Sequence, residues 1–213
     1  MSISTPEAEE LAAFIVANLP VVAVPGVPEI RLHKAAPESG LGRRFGAGPA
    51  PYWAYHWAGG LALARFVLDR PEWVRGRRVL DLGAGGGLVG IAAALAGASE
   101  VRAAEIDPAG RAALRLNAAL NGVAIEAPEG DPLDVPPPEV DLVLVGDLFY
   151  DAALAARVTD WLDLCLARGI EVLVGDPRRA PLPVDRLELL NEAPVQETAG
   201  AVQTGAVFAF RRS

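Results

Sequence analysis

The chain has 213 residues, enough for one domain with a sizeable core. Hydrophobic residues make up 52% and charged residues 22%, a balance that excludes a disordered chain. The formal net charge of −8 argues against a partner held by its phosphate backbone, so no nucleic acid is expected. It suits a small ligand, or a protein that offers a lysine. Cys165 is the single cysteine, which excludes an internal disulfide. Within Trp161-Leu-Asp-Leu-Cys-Leu it reads as a buried core residue. Met1–Glu10 carries three acids and no base, unlike a signal peptide. The apolar run Leu88–Ala98 is too short to cross a bilayer, so no membrane is expected and the protein is read as cytoplasmic.

In chain order, Pro6–Asn18 reads as a short amphipathic helix ended by Pro20. Val21–Pro51 is rich in Pro and Gly, with one extended piece at Glu29–His33. Residues 1–57 are read as an extension laid over the core, and residues 58–213 as the main body of one structural domain. Ala58–Asp69 is a helix, with Leu61, Leu63, Phe66 and Leu68 available for packing. Strand and helix then alternate: strand Arg78–Leu82, helix Leu88–Ala96, strand Glu100–Glu105 and helix Pro108–Asn121. A weak strand follows at Ala124–Ala127, then a strongly apolar strand at Asp141–Gly146, a helix at Asp151–Ala167 and a strand at Glu171–Gly175. Such alternation predicts a mostly parallel sheet with helices on both faces. Arg186–Leu190 and Ala206–Arg211 suit an antiparallel hairpin at its edge.

The strongest motif is Val79-Leu80-Asp81-Leu82-Gly83-Ala84-Gly85-Gly86-Gly87-Leu88, between a predicted strand and a predicted helix. Glycines there allow a tight turn and close approach of a ligand to the backbone. A phosphate-binding P-loop is excluded, because no Gly-Lys-Ser or Gly-Lys-Thr follows. The dinucleotide pattern fails from Gly83, where the third glycine is replaced by Leu88. It matches formally from Gly85 to Gly90, in a register that starts late relative to the strand. Asp81 tips the choice: a carboxylate there repels a pyrophosphate but accepts from an amino-acid ammonium. S-adenosylmethionine carries an ammonium and a sulfonium and no phosphate.

Asp81-Leu-Gly-Ala-Gly-Gly-Gly resembles the first motif of class I methyltransferases. The resemblance implies a Rossmann-like seven-stranded sheet with a C-terminal antiparallel hairpin, and S-adenosylmethionine as cofactor along Asp81, Gly83 and Gly85. Glu105, after the second strand, is positioned to accept both ribose hydroxyls. Its neighbour Asp107 reads as the N-cap before Pro108. By the same resemblance Asp131 receives the adenine amino group, with Ile106 and Pro132 on either side of the ring. Asp147-Leu-Phe149-Tyr150 resembles the Asp-x-x-Tyr motif of seven-strand protein lysine methyltransferases. It assigns orientation of the amine to Asp147 and an aromatic wall to Tyr150 and Phe149. An ordinary aspartate is a poor base for an ammonium, so abstraction of the proton is not assigned to Asp147. The bland alternative makes Asp147 the cap of the next helix.

Four segments narrow the family: Val27–His33, Pro51–Arg65, the glycine loop, and Gly175-Asp-Pro-Arg-Arg-Ala-Pro-Leu-Pro183. Together they resemble the electron transfer flavoprotein β-subunit lysine methyltransferases and their bacterial relatives. This implies N-methylation of a lysine on that subunit. It also implies that Trp57 helps enclose the methionine end of the cofactor and that Tyr52 and Trp53 sit near the substrate entrance. His33 and His56 are expected to support packing, and no residue set has metal-ligand spacing. A methyltransferase of a small amine or of another protein remains open, as do a nonenzymatic cofactor-binding protein and a dehydrogenase.

Overall fold

The computed structural model describes residues 5–46, 50–197, 200 and 202–212. The chain opens with α1 (Thr5–Asn18), the hairpin β1 (Val21–Val24) and β2 (Val27–His33), and the short α2 (Leu41–Phe45). It continues through α3 (Ala58–Asp69), β3 (Arg78–Leu82), α4 (Leu88–Leu95), β4 (Glu100–Ala104) and α5 (Pro108–Leu120). Then come β5 (Leu142–Gly146), α6 (Ala152–Ala167), β6 (Glu171–Asp176), β7 (Leu187–Gln196) and β8 (Val202–Phe210). The central sheet has six strands in the order β4-β3-β5-β6-β8-β7, and β1 and β2 form a separate antiparallel pair. The pairs β3–β4, β3–β5 and β5–β6 are parallel, whereas β8 runs antiparallel to both β6 and β7.

The expected seventh strand, Ala124–Ala127, is reduced to a single parallel bridge between Glu126 and Arg102 at the outer edge of β4. Glu126 still exchanges backbone hydrogen bonds with Val101 and Ala103. Pro128 follows within two residues and cannot donate to a ladder, which stops the strand from growing. The C-terminal hairpin is longer than the alternation suggests. Pro194 sits in β7 at the sheet edge, opposite Thr204, where a missing N–H is tolerated. β1 falls in the stretch expected to be irregular, and Gly26 closes its turn to β2 at φ 75°.

The period-two alternation of the strands divides the core. Val79, Leu142, Leu144 and Leu173 face α3 and α4, among Leu61, Leu63, Phe66 and Ile91. Leu80, Leu82, Val143, Val145, Val172 and Val174 face α6, among Val158, Leu162 and Cys165. Full burial of each such side chain contributes about 1.5–3 kcal/mol. A third cluster joins α1, Leu41, Trp53 and Ala54 to Ala109, Ala112 and Ala113 of α5. Asn117 of α5 ties the same regions together: its Oδ1 accepts from His33 N–H at 2.9 Å, and its Nδ2 donates to Gly86 O at 2.8 Å. The hairpin of residues 21–33 is thereby fastened to the glycine loop.

Candidate active site

The carboxyl ends of β3, β4, β5 and β6 meet at one crevice, the place where an open α/β sheet binds its ligand. After β3 the chain turns through Gly83, Gly85 and Gly87 at φ 71°, 53° and 90°, left-handed angles that favour glycine. A Cβ on Gly83 would lie 2.5 Å from the Leu148 side chain, which would have to shift to admit it.

Two cavities open there. The larger one, about 430 Å³, is within the range of a small-molecule site. Its border includes Tyr52, Trp53, Trp57, Gly83, Gly85, Glu105, Ile106, Asp131, Pro132, Asp147, Tyr150 and Arg179. The smaller one, about 70 Å³, is bordered by Asp81, His33 and His56. Tyr52, Trp53, Trp57, Gly83, Gly85, Gly146 and Asp147 border both, so the two are neighbours with Asp147 between them.

Asp81 shares its strand face with Val79 and so points toward α4. It is 1% exposed, and its Oδ2 accepts from Gly90 N–H at 2.7 Å. Burial pushes its carboxyl up to about 7, helped by the nearby charge of Glu105 and only partly offset by the Gly90 donor. Glu105 lies just past β4. Its Oε2 accepts from Gly85 N–H at 2.8 Å and its Oε1 from Asp107 N–H at 2.7 Å. Burial raises its carboxyl, and the two backbone donors and Arg111 work against the rise. Asp107 caps α5 by accepting from Ala109 N–H at 2.8 Å. Asp131 accepts from Leu133 N–H at 2.9 Å and from Arg157 Nη2 at 3.1 Å, so part of its acceptor capacity is already engaged. Ile106 is 65% exposed on the same cavity. Burial pushes the imidazole of His56 down to about 4 and keeps it neutral.

Strict alternation along β5 would send Asp147 to the Val145 face. Its backbone is left-handed instead, at φ 58°, and the carboxylate meets the first turn of α3. Gly59 N–H donates to Oδ1 at 3.1 Å and Gly60 N–H to Oδ2 at 2.5 Å. Glu197 caps the same turn by accepting from Ala58 N–H at 2.9 Å. Asp147 therefore caps a helix distant in sequence, whereas the next helix, α6, is capped by Asp151. Arg179 Nη1 donates to Asp147 Oδ1 at 2.6 Å and to Asp176 Oδ2 at 3.0 Å. Burial raises the Asp147 carboxyl, and the Arg179 charge and the α3 donors counteract it. α3 approaches this closely because Gly59 lies against Gly175: a Cβ on Gly59 would fall 2.1 Å from Gly175 O.

An aromatic rim closes the mouth. Tyr52 and Tyr150, both half-exposed, lie with ring centroids 5.8 Å apart, and Tyr52 lies 5.8 Å from Trp57. Trp57 Nε1 donates to Tyr52 O at 3.1 Å. One sequence expectation needs correction here. Phe149 is fully buried under the sheet among Val145, Ala155 and Phe208, so it forms no wall to the cleft. Trp53 is 5% exposed and packs edge-on against Phe45, and it borders both cavities next to the exposed Tyr52. Sequence reasoning missed Arg179 and Asp176 as parts of the site. Their segment stood out, but nothing in its spacing shows that it meets Asp147 thirty-two residues away. It also missed Asn117, which carries no local motif. Among the described residues no cluster of His, Cys, Asp and Glu could hold a metal, and no helix is long and apolar enough to cross a membrane.

Residues 63–145 match the family model of the ribosomal protein L11 methyltransferase (PrmA). The electron transfer flavoprotein beta subunit lysine methyltransferase of Xenopus laevis is 42% identical over 183 residues, covering 79% of this chain and 70% of the relative. That of Danio rerio is 41% identical over 183 residues, covering 83% and 71%. Among solved structures, the T. thermophilus 16S rRNA N2 G1207 methyltransferase in complex with AdoMet and guanosine superposes with a TM-score of 0.57 at 23% identity. It covers 86% of this chain and 47% of that one, a likeness of fold alone. With its methyltransferase sheet, and a glycine loop and Asp-x-x-Tyr turn at one crevice, this chain belongs to the electron transfer flavoprotein β-subunit lysine methyltransferase family.

Proposed function

We propose that this chain transfers the methyl group of S-adenosylmethionine to a lysine amine of a protein, and that the protein is the electron transfer flavoprotein β subunit. The reading is carried by one observation: the Asp147 carboxylate borders both cavities, beneath the Tyr52–Tyr150 rim.

The cleft has the chemistry the donor needs. Asp81 is a buried acid held partly neutral by desolvation, and an ammonium brought beside it restores its charge at little expense. The left-handed turn at Gly83 and Gly85 lets the donor lie close to the backbone. Each Glu105 oxygen already takes one backbone N–H and keeps a lone pair for a ribose hydroxyl. Ile106 and Pro132 flank the adenine, and Asp131 takes its amino group with the acceptor capacity that Leu133 and Arg157 leave. Bound there, the donor supplies a methyl on a positively charged sulfur, open to in-line displacement.

The residues of the chain do the rest by placement. Asp147 and Asp176 are two acids that share one cation, Arg179, a balance that favours a cationic side chain beside Asp147. The amine sheds its proton to solvent before attack, and Asp147 then fixes its direction by accepting from the N–H that remains. Tyr150 and Tyr52 offer ring faces to the lysine stem and to the methylated, cationic product. Within residues 1–57, Tyr52, Trp53 and Trp57 form one wall of this cleft, and the body of residues 58–213 holds donor and acceptor.

The test is intact-mass analysis of purified electron transfer flavoprotein after incubation with the chain and donor. A gain of one or more methyl masses on the β subunit is expected. An unchanged β subunit, with another protein labelled, would remove that substrate. Label confined to small molecules would remove the protein reading altogether.

A further inference from the structure

Outside glycine, two described residues have left-handed backbones: Asp147 at φ 58° and Arg178 at φ 67°. Such angles are uncommon for residues with a Cβ and mark turns that the surrounding structure enforces. One lies just past the carboxyl end of β5, the other two residues beyond β6, and Arg178 immediately precedes Arg179. The two turns aim a guanidinium and a carboxylate at each other across neighbouring strands. Arg179 is itself braced, since its backbone N–H donates to Asp176 Oδ1 at 2.7 Å and Asp176 is fully buried.

We infer that Arg179 is a positioning residue for methyl transfer: braced by Asp176, it clamps Asp147 Oδ1 against the first turn of α3 and leaves Oδ2 to meet the amine. The bond count supports this. Oδ1 takes both Arg179 and Gly59, whereas Oδ2 takes Gly60 alone and keeps an acceptor position on a residue that borders both cavities. The charged and titratable groups facing Asp147 are Arg179 and Asp176 from the end of β6. The N-terminus of α3 faces it from the other side, with Glu197 on that helix's first N–H. Arg179 is the one cation of this set. Without it the carboxylate is buried beside another acid, and protonation becomes easier. A protonated Asp147 loses the acceptor that directs the amine, so Arg179 keeps the group both fixed and ionised.

This rests on reading the cleft as the meeting place of lysine and methyl donor, and the test separates the two ideas. Asp147 is titrated in the full chain by carbon NMR of labelled aspartate, with its signal identified by comparison with Asp147→Asn. In Arg179→Ala the midpoint is expected to move upward by about 1–3 pH units, and Arg179→Lys should largely restore it. Methylation of the β subunit by Arg179→Ala should fall about a hundredfold in kcat. Its acid limb should shift toward neutrality. Folded Arg179→Ala with an unmoved Asp147 midpoint overturns the inference, whatever the activity does. So does a loss of kcat that Arg179→Lys fails to recover while its midpoint is normal. If the alanine variant does not fold, Arg179→Gln removes the charge with less loss of packing, and its midpoint decides. If the unaltered chain leaves the β subunit unmodified, the substrate reading falls alone and the titration still judges the clamp.

Discussion

Asp81 has a carboxyl that burial raises from its ordinary 3.8 up to about 7. A group raised on folding stabilises while protonated, so its contribution is full below about pH 4 and is lost as pH climbs through 7. The unliganded chain should therefore lose melting temperature over that window, and Asp81→Asn should flatten the loss. S-adenosylhomocysteine brings an ammonium that needs the charged acid. Its affinity should thus rise by about tenfold per pH unit as pH approaches 7 and level off above it. Calorimetry at several pH values on both forms checks this, and an equal slope in Asp81→Asn would refute the assignment. Tyr150 gives a second prediction at the same scale. If its ring face receives the lysine, Tyr150→Phe should keep KM for the protein substrate, and Tyr150→Ala should raise it about 2- to 30-fold. Steady-state kinetics distinguish the two.

At the scale of elements, α3 is the part that makes the site. Its first turn meets the ends of β5 and β6, receives Asp147 and Glu197 as caps, and begins immediately after Trp57. The approach depends on Gly59 lying on Gly175. Gly59→Ala introduces a Cβ that collides with backbone, which no rotamer change relieves. The variant should lose about 1–3 kcal/mol of stability by denaturant melts and should lower kcat as well, because Asp147 and Trp57 move with the turn. Retained activity and stability would show that the helix shifts without consequence. The Ala58–Asp69 helix was readable to the residue from its apolar spacing. Its role as the partner of Asp147 was not, because a cap between residues 87 positions apart leaves no local pattern.

For the whole molecule, a net charge of −8 and a site cluster with two acids and one base bias encounters toward a cationic surface. Such steering is screened by salt. KM for the protein substrate should rise by about two- to tenfold between low and high ionic strength while kcat stays level. A salt-independent KM would mean that the approach is governed by the apolar rim instead. The N-terminal segment belongs to the same account. Through His33, Asn117 and Gly86 it is joined to the glycine loop, and its Tyr52, Trp53 and Trp57 border both cavities.

The amino-acid order by itself determined what is local: the strand–helix alternation, the glycine turn after β3, and the acids at the strand ends. Each of these follows from the spacing of apolar residues and from backbone angles that only certain residues adopt with ease. What only the tertiary structure decided is non-local. Phe149 went to the core and Tyr150 to the rim because a left-handed turn at Asp147 resets the alternation. The seventh strand shrank to one bridge because Pro128 follows it. Arg179 reached Asp147 because two turns on adjacent strands face each other. Contacts between neighbouring strands and distant helices depend on how the sheet is ordered, and the order β4-β3-β5-β6-β8-β7 is a property of the whole fold.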